Sequence, residues 1–244
     1  MQLELFYFFL FMLAFLYASV GHGGASGYLA LMALYGIAPQ EMKPTALVLN
    51  LFVSLTSFIQ YYRGHYFKRN LFLMVAIASV PMAFIGGMIT LEDDLYKRLL
   101  GLLLLFPIFR FFFFKSPSED ELKPYNSYGA LAIGGIVGLL SGMIGIGGGI
   151  ILSPFLILLK WTDQKQTAAI SAAFIFVNSL SGLGGMLTKG ISFNAHMWGY
   201  VVVAFLGGLL GAYIGSKKLK QDALKYVLAT VLLVAAYKLL FTSA

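Results

Sequence analysis

The chain contains no cysteine, and only 11% of its 244 residues are charged. Without cysteine it has no disulfides and no thiolate metal ligands. A charged fraction that low, against about 25% in soluble domains, excludes an ordinary water-soluble globule. Acidic groups are scarcest, with ten Asp and Glu against seventeen Lys and Arg. Glu4, Glu41, Glu92, Asp93, Asp94, Glu119, Asp120, Glu121, Asp163 and Asp222 all fall at the ends of apolar runs or between them. Proton and cation carriers keep an acidic residue near the bilayer midplane, so a cation carrier is disfavoured. No Lys or Arg precedes the first apolar stretch, so the basic start of a secretory leader is missing. No nucleic-acid partner is expected, because the basic residues lie in short connections and report orientation instead; no metal or cofactor is expected either.

What is present is hydrophobicity, at 59% of residues. The apolar runs approach twenty residues, the length of a membrane-spanning helix and not of a ten-residue barrel strand. An all-α, polytopic integral membrane protein follows. Ten segments are predicted, at 3–20, 24–37, 43–61, 70–91, 95–114, 126–144, 149–160, 164–188, 194–216 and 221–241. The polar, proline-containing stretch from Lys115 to Pro124 is the one strong break. It divides the chain into an N-terminal repeat (1–114), a linker (115–125) and a C-terminal repeat (126–244) within one transmembrane domain.

Two glycine clusters interrupt the apolar sequence at corresponding places. Gly21, Gly23 and Gly24 match Gly145, Gly147 and Gly148 at one offset, and Ala83-Phe-Ile-Gly-Gly87 resembles Ala204-Phe-Leu-Gly-Gly208. Each half therefore reads as one copy of a five-segment unit. Glycine inside a helix costs about 1 kcal/mol relative to alanine, and unwound backbone is tolerated in the membrane only where it is buried or lines a cavity. Interrupted segments in corresponding positions of two halves point to a substrate site built from half-helix ends. Segments 24–37 and 149–160 are too short to span as straight helices, and Pro154 is expected to break the second further.

Orientation follows from the basic connections. Arg63, Lys68 and Arg69 crowd the third; Lys217, Lys218, Lys220 and Lys225 crowd the ninth; Arg110, Lys115 and Lys123 flank the linker. Placing all three in the cytoplasm satisfies the positive-inside rule. Both termini then face out, and the two units, each with an odd number of crossings, become inverted repeats in the cytoplasmic membrane.

Gly-Ile-Gly-Gly-Gly-Ile-Ile-Leu-Ser-Pro-Phe-Leu at 145–156, its weaker first-half copy, the stretch from Lys43 to Asn50 and the stretch from Phe174 to Gly182 together resemble the TauE/SafE sulfite-exporter family. The resemblance spans the whole chain. It implies a transporter of a small sulfur-containing anion such as sulfite, thiosulfate, sulfoacetate or another organosulfonate; the two repeats in turn predict alternating access. The first cluster departs from the second, with His22 and Ala25 where the second has Ile146 and Gly149.

An anion also follows from physics. Consecutive backbone N–H groups just before a helix form a nest at its positive end, suited to oxyanion oxygens. The candidate substrate-binding set is Gly21, His22, Gly23, Gly24, Ala25, Asn50, Gly145, Gly147, Gly148, Gly149 and Asn178. Asn50 and Asn178 are the side-chain donors, while Ser153, Ser171 and Ser179 are read as helix-packing hydrogen bonders. His22, the one ionisable group in a cluster, is a candidate for proton coupling. Lys43 reads as snorkelling to the interface; Trp161 and Trp198 read as interfacial anchors. An inside-negative potential favours anion export by about 2.3 kcal/mol per charge per 100 mV, so uptake needs a coupling ion.

Two other readings remain at this point. One is a passive anion channel. The other is an intramembrane protease, since Gly24-Ala25-Ser26-Gly27 matches the G-x-S-G of rhomboids and His196 is nominally a base. The second half replaces Ser26 by Ile150, so duplication explains the motif without chemistry.

Overall fold

The computed structural model describes residues 2–113 and 117–217, with single positions 233, 236, 237 and 240. Its long elements, all helical, are α1 (Gln2–Ser19), α2 (Ala25–Leu34), α3 (Pro39–Arg63), α4 (Arg69–Met88), α5 (Asp93–Phe113), α6 (Ser127–Ile144), α7 (Gly149–Leu158), α8 (Gln164–Leu187) and α9 (Met197–Lys217). Apart from those single positions, the expected tenth segment lies outside the described residues. Among the described helices, α3, α4, α6, α8 and α9 are long and apolar enough to cross a membrane.

Local chemistry sets several boundaries. Pro39 opens α3 at its first turn, where no N–H is needed. Asn126 caps α6 by accepting from Gly129 N–H at 2.9 Å. Asp163 and Gln166 form a reciprocal capping box at the start of α8. Pro154 does not break α7 as expected, for the helix continues through it. The Ser153 hydroxyl bonds back to Gly149 O at 2.7 Å, one residue before the Ile150 carbonyl from which Pro154 withholds its N–H donor.

Helices α3 and α8 pack together at the centre. Around them α4 pairs with α6 and α1 with α9, the two most extensive contacts besides further packing of α4 on α8 and α3 on α9. Exchanging the first five elements for their counterparts turns α4–α6 into α9–α1 and leaves α3–α8 unchanged. Two glycine stripes allow this close approach. A Cβ on Gly134, Gly138 or Gly142 of α6 would strike the carbonyls of Val75, Ser79 or Ala83; one on Gly207, Gly211 or Gly215 of α9 would strike those of Phe11, Phe15 or Ser19. Small residues every fourth position are how membrane helices gain packing contacts where lipid supplies no hydrophobic drive.

The connections sort by end. Lys68 Nζ donates to Trp161 O at 3.5 Å, Lys165 Nζ to Tyr66 Oη at 2.9 Å, and Lys123 N to Lys160 O at 2.8 Å, which gathers the third connection, the linker and the start of α8 at one end. Glu121 lies there too; hydrogen bonding from Ser118 N–H, then from Lys160, holds its carboxyl below the usual range. At the other end Gln40 donates to Asp93 at 2.8 Å and Asn194 to Glu41 at 2.7 Å. Trp161 is buried against Tyr125, contrary to its expected interfacial role, whereas Trp198 is exposed.

Candidate functional site

Helices α2 and α7 are each ten residues long, about 15 Å of rise against a hydrocarbon core of about 30 Å. Each begins at a glycine in the left-handed region, Gly24 at φ 92° and Gly148 at φ 77°. That conformation costs an L-residue with a side chain about 1–2 kcal/mol, which is why glycine occupies both caps. Gly21 and Gly145, equivalent in sequence, share it at φ 79° and 86°.

The two clusters meet on the same side chains. A Cβ on Gly23 would lie 2.6 Å from Asn50 Oδ1 and 2.8 Å from Ile175 Cγ2. On Gly147 it would lie 2.5 Å from Asn50 Nδ2, 2.8 Å from the same Ile175 Cγ2 and 3.0 Å from Ser179 Oγ. The N-termini of α2 and α7 therefore converge across the α3–α8 contact. Asn50, fully buried, accepts from Ala25 N–H at 3.1 Å through Oδ1 and donates to Ser179 at 3.3 Å through Nδ2. One amide thus caps α2 and ties it to α8.

Donors remain over. Among the described residues, the N–H groups of Gly147, Gly148, Gly149 and Ile150 find no protein acceptor, nor do those of Ser26 and Gly27 on α2. Beside each cap stands a buried hydroxyl that likewise has no partner among those residues. The Tyr28 phenol lies against Gly24, and Ser141 Cβ would lie 3.1 Å from a Cβ on Gly148. Buried polar groups are otherwise nearly always satisfied, so these converging donors mark a place suited to an anion.

Not every candidate joins them. Asn178 donates to Phe174 O, one turn back on α8, at 2.8 Å, and its Oδ1 is unpartnered among the described residues. A carbonyl only accepts, so the nitrogen must face Phe174 and the free atom is an acceptor, which an anion repels. His22 bridges the halves instead, with Nδ1 3.1 Å from Val20 O and Nε2 2.8 Å from Ser153 Oγ on α7. Ser153, Ser171 and Ser179, read from sequence as packing groups, thus contact the functional candidates directly. Their alignment with the clusters was the missing signal, since it depends on helix phase. Ser26 donates to Tyr17 Oη at 2.9 Å, while His196 lies against Tyr200 at the start of α9. The structure records no Ser26–His196 hydrogen bond of the kind a serine protease requires.

A cleft of about 240 Å³ opens at the end carrying Glu41 and Asp93, between the starts of α3 and α5 and the ends of α4 and α8. Lys43 lines it, with Nζ 5.5 Å from the Tyr96 ring centroid. The Lys43 Cα is 3.2 Å from where a Gly145 Cβ would stand. Lys43 thus links the cleft to the second cluster, a closer role than interfacial snorkelling.

Half-helices meeting inside a bundle of membrane-length helices are the arrangement of a multi-pass membrane transporter. Residues 6–239 match the family model described as sulfite exporter TauE/SafE, and the chain belongs to that family. It is 35% identical to y4hK of Sinorhizobium fredii, named a probable membrane transporter protein, over 95% of both chains. Two Bacillus subtilis proteins of the same description, YunE and YjnA, are each 26% identical, YunE over 84% of this chain and 82% of its own, YjnA over 90% and 92%. No solved structure matches the chain.

Proposed function

We propose that the protein carries a small sulfur-containing anion, such as sulfite, thiosulfate, sulfoacetate or another organosulfonate, across the cytoplasmic membrane by alternating access. The observation that carries this reading is the convergence of two half-helix N-termini whose N–H groups and neighbouring buried hydroxyls have no partner among the described residues. Backbone donors of Gly147–Ile150 and of the α2 start hold the anion; Ser141 and Tyr28 add hydroxyls. Asn50 holds the α2 start in place. The helix pairing and the gathering of basic connections at one end support two inverted repeats with both termini outside.

A thermal-shift panel of sulfite, thiosulfate, sulfoacetate, taurine and sulfate on detergent-purified protein tests the substrate class. A sulfur anion is expected to raise the apparent melting temperature, since a hundredfold excess over Kd stabilises by about 2.7 kcal/mol. A panel in which none does so removes the assignment. Saturable counterflow in proteoliposomes then separates a carrier from a pore.

The lack of native cysteine makes sidedness directly measurable. Ser192→Cys, in the cleft, is expected to react with a membrane-impermeant thiol reagent on intact cells, and His65→Cys, at the basic end, only after permeabilisation. The reverse pattern would invert the proposed orientation.

A further inference from the structure

His22 stands 131 residues from Ser153 in sequence and is 7% exposed, yet its ring is held from both sides. Nδ1 faces Val20 O at 3.1 Å, an atom that only accepts. Nε2 faces Ser153 Oγ at 2.8 Å. Ser153 Oγ in turn lies 2.7 Å from Gly149 O, the carbonyl of the first residue of α7, and 2.7 Å from Ser171 Oγ.

A hydroxyl has one proton to give. If the imidazole is neutral with its proton on Nδ1, Nε2 must receive the Ser153 proton, and Gly149 O loses its side-chain donor. If the imidazole is a cation, Nε2–H donates to Ser153 Oγ, Ser153 donates to Gly149 O, and Ser171 donates to Ser153. Every short contact is satisfied in the second arrangement, and one is not in the first. Protonation therefore reverses the donor direction across the contact between the two halves, at the first turn of the helix whose N–H groups face the candidate anion site.

The charge balance points the same way. On the neighbouring described elements the ionisable groups away from the ends are Tyr7 and Tyr17 on α1, Tyr28 on α2 and Tyr61 on α3, with Lys165 at the start of α8; α7 has none. The Tyr17 hydroxyl takes part in the Ser26 bond, Tyr61 donates to Ser19 O at 3.0 Å, and Lys165 pairs with Tyr66 at the basic end. Glu4, Glu41, Tyr62 and Arg63 sit toward the helix ends, while Lys43 stands beside the second glycine cluster, its Cα 3.2 Å from where a Gly145 Cβ would stand. An imidazolium at His22 and the Lys43 ammonium both attract an incoming anion, and the anion in turn favours the charged form of the ring.

We infer that His22 is the binding site for a co-transported proton, relayed through Ser153 and Ser171, so that one proton accompanies each anion. This rests on the anion-transport reading. The proton is taken up on Nε2 with the anion and released from Nε2 when the anion leaves. A monoanion then crosses without net charge, and uptake is no longer opposed by an inside-negative potential.

The protonation itself is read on full-length protein in detergent by 15N NMR of the imidazoles, with His65→Asn and His196→Asn assigning the three signals. His22 is expected to change from a doubly protonated ring to a neutral one between about pH 5 and about pH 8, the range in which histidine ordinarily changes charge. The transition should move upward when the best binder of the thermal-shift panel is added. A His22 that keeps one neutral tautomer throughout, with or without that anion, overturns the inference.

In proteoliposomes holding a pH dye, an inward thiosulfate gradient is expected to acidify the lumen with wild-type protein. In His22→Gln and Ser153→Ala the proton flux should fall by about tenfold or more, the range of lost general acid–base contributions being larger still. Thiosulfate entry without acidification, or undiminished proton flux in both variants, overturns the coupling while leaving anion transport standing. Absence of any anion flux or binding strikes the transport reading, and the coupling with it.

Discussion

Gly148→Ala is expected to lose anion binding by about a hundredfold or more and to destabilise the protein by about 2–5 kcal/mol, the sum of a left-handed backbone on alanine and an overpacked site. The Cβ would lie 2.9 Å from Phe174 Cε1 and 3.1 Å from both Ser141 Cβ and Val137 Cγ1. Relief requires either moving the start of α7, which redirects its free N–H groups, or pushing Ser141 away. Gly190→Ala is the control. Gly190 shares a positive φ of 80° but has nothing within 4 Å, so alanine there incurs only the backbone cost of about 1–2 kcal/mol and keeps wild-type affinity. Melting temperature and ligand-induced shift, measured on both variants, separate backbone strain from damage to the site. Equal loss of affinity in the two would leave Gly148 without a special role.

Asn50→Leu is the second large effect. It strips the acceptor from Ala25 N–H and the donor from Ser179 in a position that is fully buried. An orphaned buried donor costs about 1–3 kcal/mol. The start of α2 is freed from α3, and flux in proteoliposomes is expected to fall by about tenfold to a hundredfold, each decade being about 1.4 kcal/mol. Asn178→Ala, whose amide among the described residues bonds to its own helix, is expected to change flux by less than about threefold, well under the decade that about 1.4 kcal/mol represents. A variant Asn50→Leu that carries anion at the wild-type rate would refute the placement of the amide between the clusters.

Much of this architecture was legible. The predicted segments 70–91, 126–144 and 164–188 lie close to α4, α6 and α8, because long apolar runs between polar breaks leave a helix few alternatives in a membrane. The short α2 and α7 were visible as well, since glycine clusters interrupt helices wherever they fall. The equal spacing of Gly21 and Gly24 with Gly145 and Gly148 carried over into shared positive φ angles. The glycines at every fourth position of α6 and α9 were also in the sequence, and their spacing is the signal that marks close helix packing.

Helix phase was not legible. Asn50 and Asn178 looked interchangeable, yet the residue of α8 that meets both clusters is Ile175, one turn earlier, while Asn178 points back to Phe174. In a soluble helix an apolar stripe identifies the buried face. Here lipid-facing and core-facing residues are equally apolar, so local sequence does not say which face turns inward. Trp161 was misplaced for the same reason, since a tryptophan near a connection fits the interface or the core equally well by composition.

By itself the sequence determined that the chain lives in a membrane, that it is helical, where the helices break and that charge is confined to their ends. Each of those is a property of solvation and of single residues. Only the tertiary structure decided that the two breaks face one amide, Asn50, and that His22 of one half meets Ser153 of the other. Such contacts depend on how α3 turns against α8, which is fixed by packing among residues distant in the chain and alike in hydrophobicity.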